Sequence, residues 1–335
     1  MPRHANISLF VPHEGCPYRC SFCDQRTISG HSGRIGAADV EDAVRTALRS
    51  GADPEGTEIA FFGGSFTAIP RGHMLELLEA AAPFVRSGAV RGIRCSTRPD
   101  AVDAETLAVL KSYGVTAVEL GAQSMSDRVL LMNRRGHTAA DVEHASELIK
   151  AAGLELGLQM MTGLYGDDDE TCIGTARRLI ELAPATVRIY PTVVIEGTEL
   201  ASLLEKGEYK AQTVDEAVAL CAVLLPMFDS AGIRVIRLGL HSGGGVGGRY
   251  VAGAYHPAFG ELVESRIMLD RTARYLRENN ITGNVTVYVN PASVSKMTGQ
   301  KRRNIEELRK LGINAAVRPD PGVAGRDFRI EQECI

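Results

Sequence analysis

The sequence predicts an α/β protein whose main part is a partial TIM-like (β/α) barrel. Short apolar, strand-like segments alternate with amphipathic helical segments of roughly 10–15 residues, a pattern typical of βαβ units and a parallel sheet. Cysteines, glycine pairs and arginines recur where the predicted strands end, which is where a barrel places its chemistry. Together these observations favour a barrel with an active site at one end.

The elements of the barrel follow from hydrophobic periodicity. Short apolar or β-branched runs predict strands at 7–11, 58–62, 92–96, 115–120, 154–161, 186–190 and 233–236. Apolar residues at helical spacing predict helices at 37–50, 74–85, 104–113, 139–152, 171–182 and 215–231. A glycine follows several of these helices, as expected at a helix end: Gly51, Gly114 and Gly153.

The last hundred residues predict a smaller module. Residues 259–276 have the pattern of an amphipathic helix, strands are expected at 285–289 and around 315–317, and residues 293–311 connect them. Residues 241–248 are dense in glycine and are interpreted as a flexible loop, because no helix follows as a dinucleotide fingerprint requires. The expected division is 1–240 for the barrel, 241–283 for the loop and connecting helix, and 284–335 for a small basic α/β module.

Three cysteines follow the first predicted strand. Cys16, Cys20 and Cys23 have the spacing C-x3-C-x2-C, and Phe22 precedes the last of them. Three thiolates can bind three irons of a [4Fe–4S] cube and leave the fourth iron open. The same cysteines with His13 could instead form a Cys3His zinc site. No second zinc knuckle supports that alternative, because the other four cysteines stand alone.

Composition and charge limit the classes of protein. The net charge is -4, so no global basic field indicates nucleic acid, although a local basic patch remains compatible with it. No apolar run reaches the length that spans a membrane, and the N-terminus has no pattern of a targeting peptide. Free cysteines and an exposed cluster need a reducing compartment, so a cytoplasmic location without membrane association is expected.

Five further segments, taken together, resemble a known family. They are FGGSFT at 62–67, STRPD at 96–100, ELGAQS at 119–124, RRGHT at 134–138 and YPTVVIEGTEL at 190–200. With the cysteine spacing, which resembles the signature of the radical S-adenosylmethionine (radical SAM) superfamily, they resemble the radical SAM half of the elongator catalytic subunit over roughly residues 5–240. That family acts on the wobble uridine of tRNA.

The resemblance implies a set of cofactors. A [4Fe–4S] cluster on Cys16, Cys20 and Cys23 would cleave S-adenosylmethionine to methionine and a 5′-deoxyadenosyl radical, and an electron donor protein would supply the electron. Ser65 stands where many superfamily members have a glutamate after two glycines, and Ser96 also replaces a glutamate. Too few residues follow position 240 for the family's acetyltransferase domain, so the acetyl-CoA half of the reaction is not expected.

Residues at successive strand ends are the candidates for binding S-adenosylmethionine. Glycines allow a close approach to its amino group, arginines suit its carboxylate, and an apolar strand end can pack its adenine. Arg135 is a candidate for the carboxylate beside Arg98 and Arg134, and Gln123 and Ser124 for the carboxylate or the ribose. The complete predicted set is Phe22, Gly63, Gly64, Ser65, Ser96, Arg98, Gln123, Ser124, Arg134 and Leu164.

The C-terminal module has a basic segment that suggests RNA. Residues 299–302 resemble the GxxG loop of a KH module without its second glycine. The basic residues in or near this stretch are Lys296, Lys301, Arg302 and Arg303. A solvated basic helix face is the alternative. The expected function is that of a radical SAM enzyme that modifies RNA, and the expected RNA is a tRNA. The alternatives are a radical SAM enzyme with a protein or small-molecule substrate and a non-catalytic, zinc-stabilised RNA-binding protein.

Overall fold

A computed structural model describes residues 5–11, 16, 19–24, 33–240 and 246–332. Its strands are β1 Ala5–Val11, β2 Thr57–Gly63, β3 Gly92–Thr97, β4 Val115–Gln123, β5 Glu155–Thr162, β6 Thr186–Pro191, β7 Val193–Ile195, β8 Arg234–Leu238, β9 Tyr250–Gly253, β10 Gly283–Val289, β11 Ile313–Pro319 and β12 Phe328–Gln332. Its α-helices are α1 Ala37–Arg49, α2 Arg71–Arg86, α3 Ala104–Ser112, α4 Asp127–Met132, α5 Ala139–Ala151, α6 Asp169–Glu181, α7 Glu199–Glu205, α8 Val214–Ser230, α9 Val246–Arg249, α10 Phe259–Glu278, α11 Val294–Thr298 and α12 Arg303–Lys310.

The chain forms two compact units. The first contains Met1–Thr213 and Met227–Tyr255, and the second contains Val214–Pro226 and His256–Ile335. The division at residues 240 and 283 stays a prediction. In the parts of the chain that the structure describes, no helix is long and apolar enough to cross a membrane.

A seven-stranded parallel sheet is the centre of the first unit. Its strand order is β1-β2-β3-β4-β5-β6-β8, so β1 and β8 are its two ends. All seven strands contribute side chains to one cavity, from Asn6 on β1 to Arg237 on β8. Only a curved sheet can bring both ends to one cavity, which confirms the predicted partial barrel. The remaining two strands of this unit, β7 and β9, form a separate antiparallel pair.

Local sequence signals explain where several helices begin. Thr138 caps α5 by accepting a hydrogen bond from the Asp141 N–H, and the Asp141 carboxylate accepts from the Thr138 N–H in return. Asp168 caps α6 in the same way through the N–H of Thr171. These caps satisfy donors that a helix leaves unpaired and so fix the starts of helices that pack on the barrel.

A buried network of charged side chains crosses the sheet. Arg94 donates to Glu58 at 2.9 Å and to Glu119 at 3.4 Å, and all three side chains are at most 1% exposed. Arg188 donates to both oxygens of Glu119, at 2.6 and 2.9 Å. Gly157 lies opposite Glu119 on β5, where a Cβ would come within 2.7 Å of the Glu119 Cγ. The network therefore depends on a glycine that leaves room for a shared carboxylate.

The second unit has a small sheet of order β11-β10-β12, in which β10 is parallel to β11 and antiparallel to β12. This confirms a small C-terminal α/β module, and its KH-like character stays a prediction. Helices α11 and α12 flank residues 299–302, where Lys301 and Arg302 have left-handed backbone angles of φ 51° and 65°. The core of the module consists of Met268, Leu276, Val285, Val287, Val289, Met297, Ile305, Leu308, Ile313 and Ala315.

Short elements were not predicted from the sequence. Helices α4 and α7, strands β7 and β9, and strand β12 are three to seven residues long. Elements of that length are too short for a periodic pattern to develop, so tertiary contacts decide their conformation. Of the predicted glycine-rich loop, residues 241–245 lie outside the described residues, and α9 includes the remainder.

We expect the substitution Glu119→Gln to lower the free energy of unfolding by about 3–5 kcal/mol, because it leaves the buried Arg188 without the carboxylate that binds it. Urea denaturation followed by circular dichroism measures this. The control is Glu41→Gln, which removes an exposed ion pair with Arg45 on α1 and should change stability by less than about 1 kcal/mol. Equal effects of the two substitutions would contradict the importance of the network.

Candidate active site

The cysteine segment after β1 is held by a buried asparagine. The N–H of Ser21 donates to the carbonyl of Asn133 at 3.2 Å, and the Ser21 hydroxyl donates to Asn133 Oδ1 at 2.7 Å. The amide Nδ2 of Asn133 donates to the carbonyls of Val129 and Tyr165. Asn133 is fully buried. One side chain thus connects the segment between Cys20 and Cys23 to α4 and to the loop after β5.

A second contact holds the end of the cysteine segment. Arg249 Nη1 donates to the carboxylate of Asp24 at 2.8 Å, and its Nη2 donates to the carbonyl of Glu196 at 2.9 Å. Asp24 directly follows Cys23. The residue after the last cysteine is therefore tied to the end of β7 through a residue 225 positions away in the sequence.

The glycine turn after β2 meets the first cysteine. The N–H of Gly64 donates to the carbonyl of Val11 at 2.7 Å, which joins the turn to the end of β1. Gly63 has φ 104°, and a Cβ there would come within 3.2 Å of the Val11 oxygen. The backbone N–H of Ser65 hydrogen-bonds the Cys16 thiol. The glycine turn therefore lies beside the first cysteine.

Two arginines face the thiols. Arg135 Nη1 donates to Cys20 Sγ at 3.2 Å, and its Nη2 donates to the carbonyl of Gly121 at 2.7 Å. Arg98 is close enough to Cys16 for its charge to act on that thiol, and its guanidinium pairs with Asp100. Both cations stabilise negative charge on sulfur.

Burial opposes ionisation of the Cys16 and Cys23 thiols. It raises the pKa of the Cys16 thiol and raises that of Cys23 to about 12, with the neighbouring Cys20 adding to both effects and Arg135 opposing them. A ligating thiol must lose its proton. Without a bound metal, these thiols therefore stay protonated at neutral pH.

The thiols and their neighbours distinguish between the two metal groups that the cysteine spacing allows. Within the described residues, no three histidine, cysteine or acidic side chains lie close enough to hold a single metal ion. A [4Fe–4S] cube binds each cysteine at a different iron, so its ligands need not converge on one ion. Three thiols with two cations beside them fit such a cube. His13, the fourth ligand of the zinc alternative, lies outside the described residues.

A cavity of about 490 Å³ extends from Cys23 into the half-barrel. Gln123, at the end of β4, lines it with a left-handed backbone (φ 63°) and a buried Oε1 that has no hydrogen-bond partner among the described residues. A Cβ on Gly121 would come within 2.9 Å of Gln123 Nε2 and 3.3 Å of Arg135 Nη2, so both side chains lie over that glycine. A strained residue with an unpaired buried amide oxygen is typical of a ligand site.

The structure brings most of the predicted residues together. Phe22, Gly63, Ser96 and Gln123 line the cavity with Cys23. Gly64, Ser65 and Arg98 lie beside it, through the contacts with Val11, Cys16 and Asp100 given above. Leu164 packs with Phe22 in one hydrophobic cluster that also contacts Cys20 and Cys23.

Ser124 and Arg134 make their contacts outside the cavity lining. The Ser124 hydroxyl lies 3.3 Å from that of Thr175 on α6 and accepts from the N–H of Ser126. Arg134 forms an ion pair with Glu199 and is mostly exposed, whereas its neighbour Arg135 reaches the cavity. Ser124 thus organises a turn, and Arg134 holds a surface contact.

Other cavity residues were missed by the sequence analysis. They alternate along their strands, so an inward-facing period of two was the available signal. These residues are Asn6, Ser8 and Phe10 on β1, Gln159 on β5, Arg188 and Tyr190 on β6, and Arg237 on β8. Asn133 gave no signal, because nothing in the local sequence indicates its contact with Ser21.

These cysteines, the glycine turn and the curved parallel sheet define the class of protein. Residues 10–179 match the radical SAM superfamily, and residues 184–268 match the radical SAM C-terminal domain. The chain belongs to the radical SAM superfamily, a group of enzymes that use a [4Fe–4S] cluster and S-adenosylmethionine. The non-catalytic alternative is therefore not retained.

Particular relatives were found by sequence and by structure. The chain is 37% identical over 125 residues to the tRNA uridine(34) acetyltransferase of Methanocaldococcus jannaschii, covering 36% of this chain and 23% of that protein. It is 29% identical over 190 residues to human Elongator complex protein 3, covering 51% and 35%. The chain thus aligns with about a third or less of each relative's length.

A solved structure shares the fold. The archaeal Elp3 of Methanocaldococcus infernus, with an N-terminal deletion, has a TM-score of 0.61 at 21% identity, covering 83% of this chain and 64% of that one. At this identity the likeness concerns the fold.

We expect the substitution Asn133→Ala to release iron about tenfold faster from the reconstituted protein to a chelator, because residues that support metal ligands strongly affect metal affinity. Absorbance of the chelator complex measures the rate. Cys20→Ser is the reference for loss of the cluster. Asn304→Ala, which removes another buried asparagine, in the second unit, is the matched control and should release iron at the parent rate. Equal rates for Asn133→Ala and Asn304→Ala would count against the anchor.

Buried His137, near Arg135, makes the stability of the folded protein depend on pH. Its Nε2 lies 3.2 Å from the carbonyl of Ala122, and its buried Nδ1 has no partner among the described residues. Burial, and secondly the charge of Arg135, lower the pKa of His137 to about 4. The folded state therefore binds the proton more weakly than the unfolded chain. The stability from neutral His137 is present above about pH 6.5 and is lost as the pH falls toward 4.

We expect His137→Gln to make the free energy of unfolding less sensitive to pH between 6.5 and 4, by about 1–3 kcal/mol across that interval. Urea unfolding at a series of pH values measures the slope. His144→Gln, at an exposed position on α5, should keep the slope of the parent protein. A parent-like slope for His137→Gln would show that another group titrates in this range.

Proposed function

We propose that this radical SAM enzyme modifies RNA, specifically a tRNA, and that Cys16, Cys20 and Cys23 bind its [4Fe–4S] cluster. The single observation that carries the RNA proposal is the similarity to proteins named tRNA uridine(34) acetyltransferase, at 37% and 34% identity over 125 residues. That similarity covers 23% of each of those proteins, so the reaction proposed is the radical step alone.

The residues around the thiols support the proposal for the cluster. When bound, the cluster supplies one electron that cleaves S-adenosylmethionine to methionine and a 5′-deoxyadenosyl radical. The Ser65 N–H and the Arg135 guanidinium stabilise negative charge on Cys16 and Cys20, which favours the deprotonated thiols that a metal needs. An electron donor protein is a further partner that this chemistry requires.

The cavity side chains support a binding role for S-adenosylmethionine. Arg135 is better placed than Arg134 to bind its carboxylate, because Arg135 donates to the Cys20 thiol whereas Arg134 pairs with Glu199. The unpaired Oε1 of Gln123 can accept a hydrogen bond from a ribose hydroxyl or an amino group. Phe22 offers an apolar surface backed by Leu164 that helps exclude water.

The basic segment of the second unit supports contact with RNA phosphates. Lys301 and Arg302 are exposed and have no acidic partner among the described residues. Arg303, by contrast, forms two hydrogen bonds with Asp215, at 2.7 and 3.0 Å. Lys296 is half-buried on α11. The free cations are therefore concentrated at the turn between α11 and α12, which suits a phosphate backbone.

We expect the double substitution Lys301→Gln and Arg302→Gln to weaken tRNA binding and to lower the magnitude of the slope of log K against log salt by about 1–2. The reason is that fewer counterions are released on binding when fewer phosphates are contacted by cations. Gel retardation at several salt concentrations measures both. The matched control is Arg309→Gln with Lys310→Gln, whose cations already pair with Glu306 and Glu307. The control should bind tRNA nearly as the parent does.

Two outcomes would contradict the RNA proposal. Absence of tRNA retardation by the parent protein at low salt would favour a protein or small-molecule substrate. Unchanged modified nucleosides, measured by mass spectrometry on tRNA from cells with and without the gene, would show that tRNA is not the substrate in the cell. Neither outcome affects the proposal for the cluster, which iron content tests separately.

A further inference from the structure

Two arginines lie side by side on the wall of the cavity. Arg188 on β6 and Arg237 on β8 are paired across the parallel strands, and both side chains line the cavity. The register shifts by one residue just before this pair, between Val187 and Arg188. Without that shift Arg188 would pair with Ile236. Two like charges facing each other across neighbouring strands are destabilising unless something compensates them.

Among the described residues, a carboxylate pairs with Arg188 but not with Arg237. Arg188 shares the Glu119 carboxylate with Arg94, and its guanidinium carbon lies 4.9 Å from the centre of the Phe62 ring. Arg237 has no acidic partner among the described residues, and the only acceptor found for it there is the carbonyl of Gly239, at 3.1 Å from its Nε. The two terminal nitrogens of Arg237, Nη1 and Nη2, are therefore available to a ligand in the cavity.

The rest of the cavity wall has no negative charge. Its described lining includes three arginines, Arg135, Arg188 and Arg237, and no aspartate or glutamate. Arg135 lies at the end of the cavity near Cys20. At the other end of β1, the cavity contains Asn6, whose buried Oδ1 has no partner among the described residues. The cavity is therefore cationic at two places, one beside the cysteines and one at β6 and β8.

We propose that Arg237, with Arg188 beside it, forms a subsite for an oxyanion of the second substrate, either a phosphate or a carboxylate. This deepens the proposed function and rests on it: for an RNA substrate, the oxyanion is a phosphate of the nucleotide that enters the cavity. Arginine suits both groups because its planar donors match two oxygens. The subsite fixes the substrate's orientation relative to the cysteine end.

Calorimetry with matched ligand pairs tests the subsite. The reconstituted protein with S-adenosylmethionine is titrated with uridine 5′-monophosphate and uridine, and with succinate and succinamide. We expect the anion of one pair to bind at least about tenfold more tightly than its neutral partner. Preference within the first pair identifies a phosphate, and preference within the second identifies a carboxylate.

The variants separate the subsite from general charge. Arg237→Gln should remove the anion preference, and Arg237→Lys should keep part of it. Arg234→Gln removes the same charge from an exposed position of β8 outside the cavity lining and should keep it fully. Arg188 is left unchanged, because its substitution would also remove two hydrogen bonds to the buried Glu119 carboxylate. Circular dichroism and iron content verify that the variants are folded.

Two results would overturn the subsite. One is equal affinity of the parent for both members of each pair. The other is an anion preference that survives in Arg237→Gln. Failure of the RNA proposal is distinguishable, because tRNA retardation would then be absent while an Arg237-dependent preference for one of the small anions persists.

Discussion

The carboxylate of Glu119 binds two buried arginines at once, and the interior of the half-barrel depends on that sharing. Arg94 and Arg188 reach it from strands on either side of β4. Buried charges are tolerated only when they are paired and hydrogen-bonded, so Glu119 fixes the position of the Arg188 guanidinium, whereas Glu58 and Glu155 share in holding Arg94. Because Arg188 is held in this way, the wall of the cavity next to it is rigid, and Arg237 remains available to a ligand.

The sequence was sufficient for the parts of the site that lie at strand ends. In a parallel sheet the carboxyl ends of all strands meet at one edge, so cysteines after β1, glycines after β2 and Gln123 after β4 had to converge. The sequence was insufficient for deciding which of two adjacent residues faces the cavity, as Arg134 and Arg135 show. Arg134 has a left-handed backbone (φ 52°) immediately after α4, and this turn directs Arg135 rather than Arg134 to the thiols. Helix α4 is too short to be predicted, so the choice was not visible.

Contacts between distant segments were beyond the sequence for a different reason. Asn133 is one of many polar residues near a helix end, and only the folded chain shows that its amide and carbonyl both bond Ser21. Ser124 looked like a ligand-binding residue because it follows β4, yet its hydroxyl is used by the turn before α4. Local patterns identify which residue types are present, whereas tertiary contacts decide which of them remain available to a ligand.

The contacts that hold the cysteine segment also set the order in which it can be completed. Ser21 needs Asn133 and the N–H of Leu200, and Asp24 needs Arg249. At a synthesis rate of about 5–20 residues per second, Arg249 leaves the ribosome on the order of ten seconds or more after the cysteines. Until then these contacts cannot form, so the segment reaches its final arrangement only after most of the chain has been made.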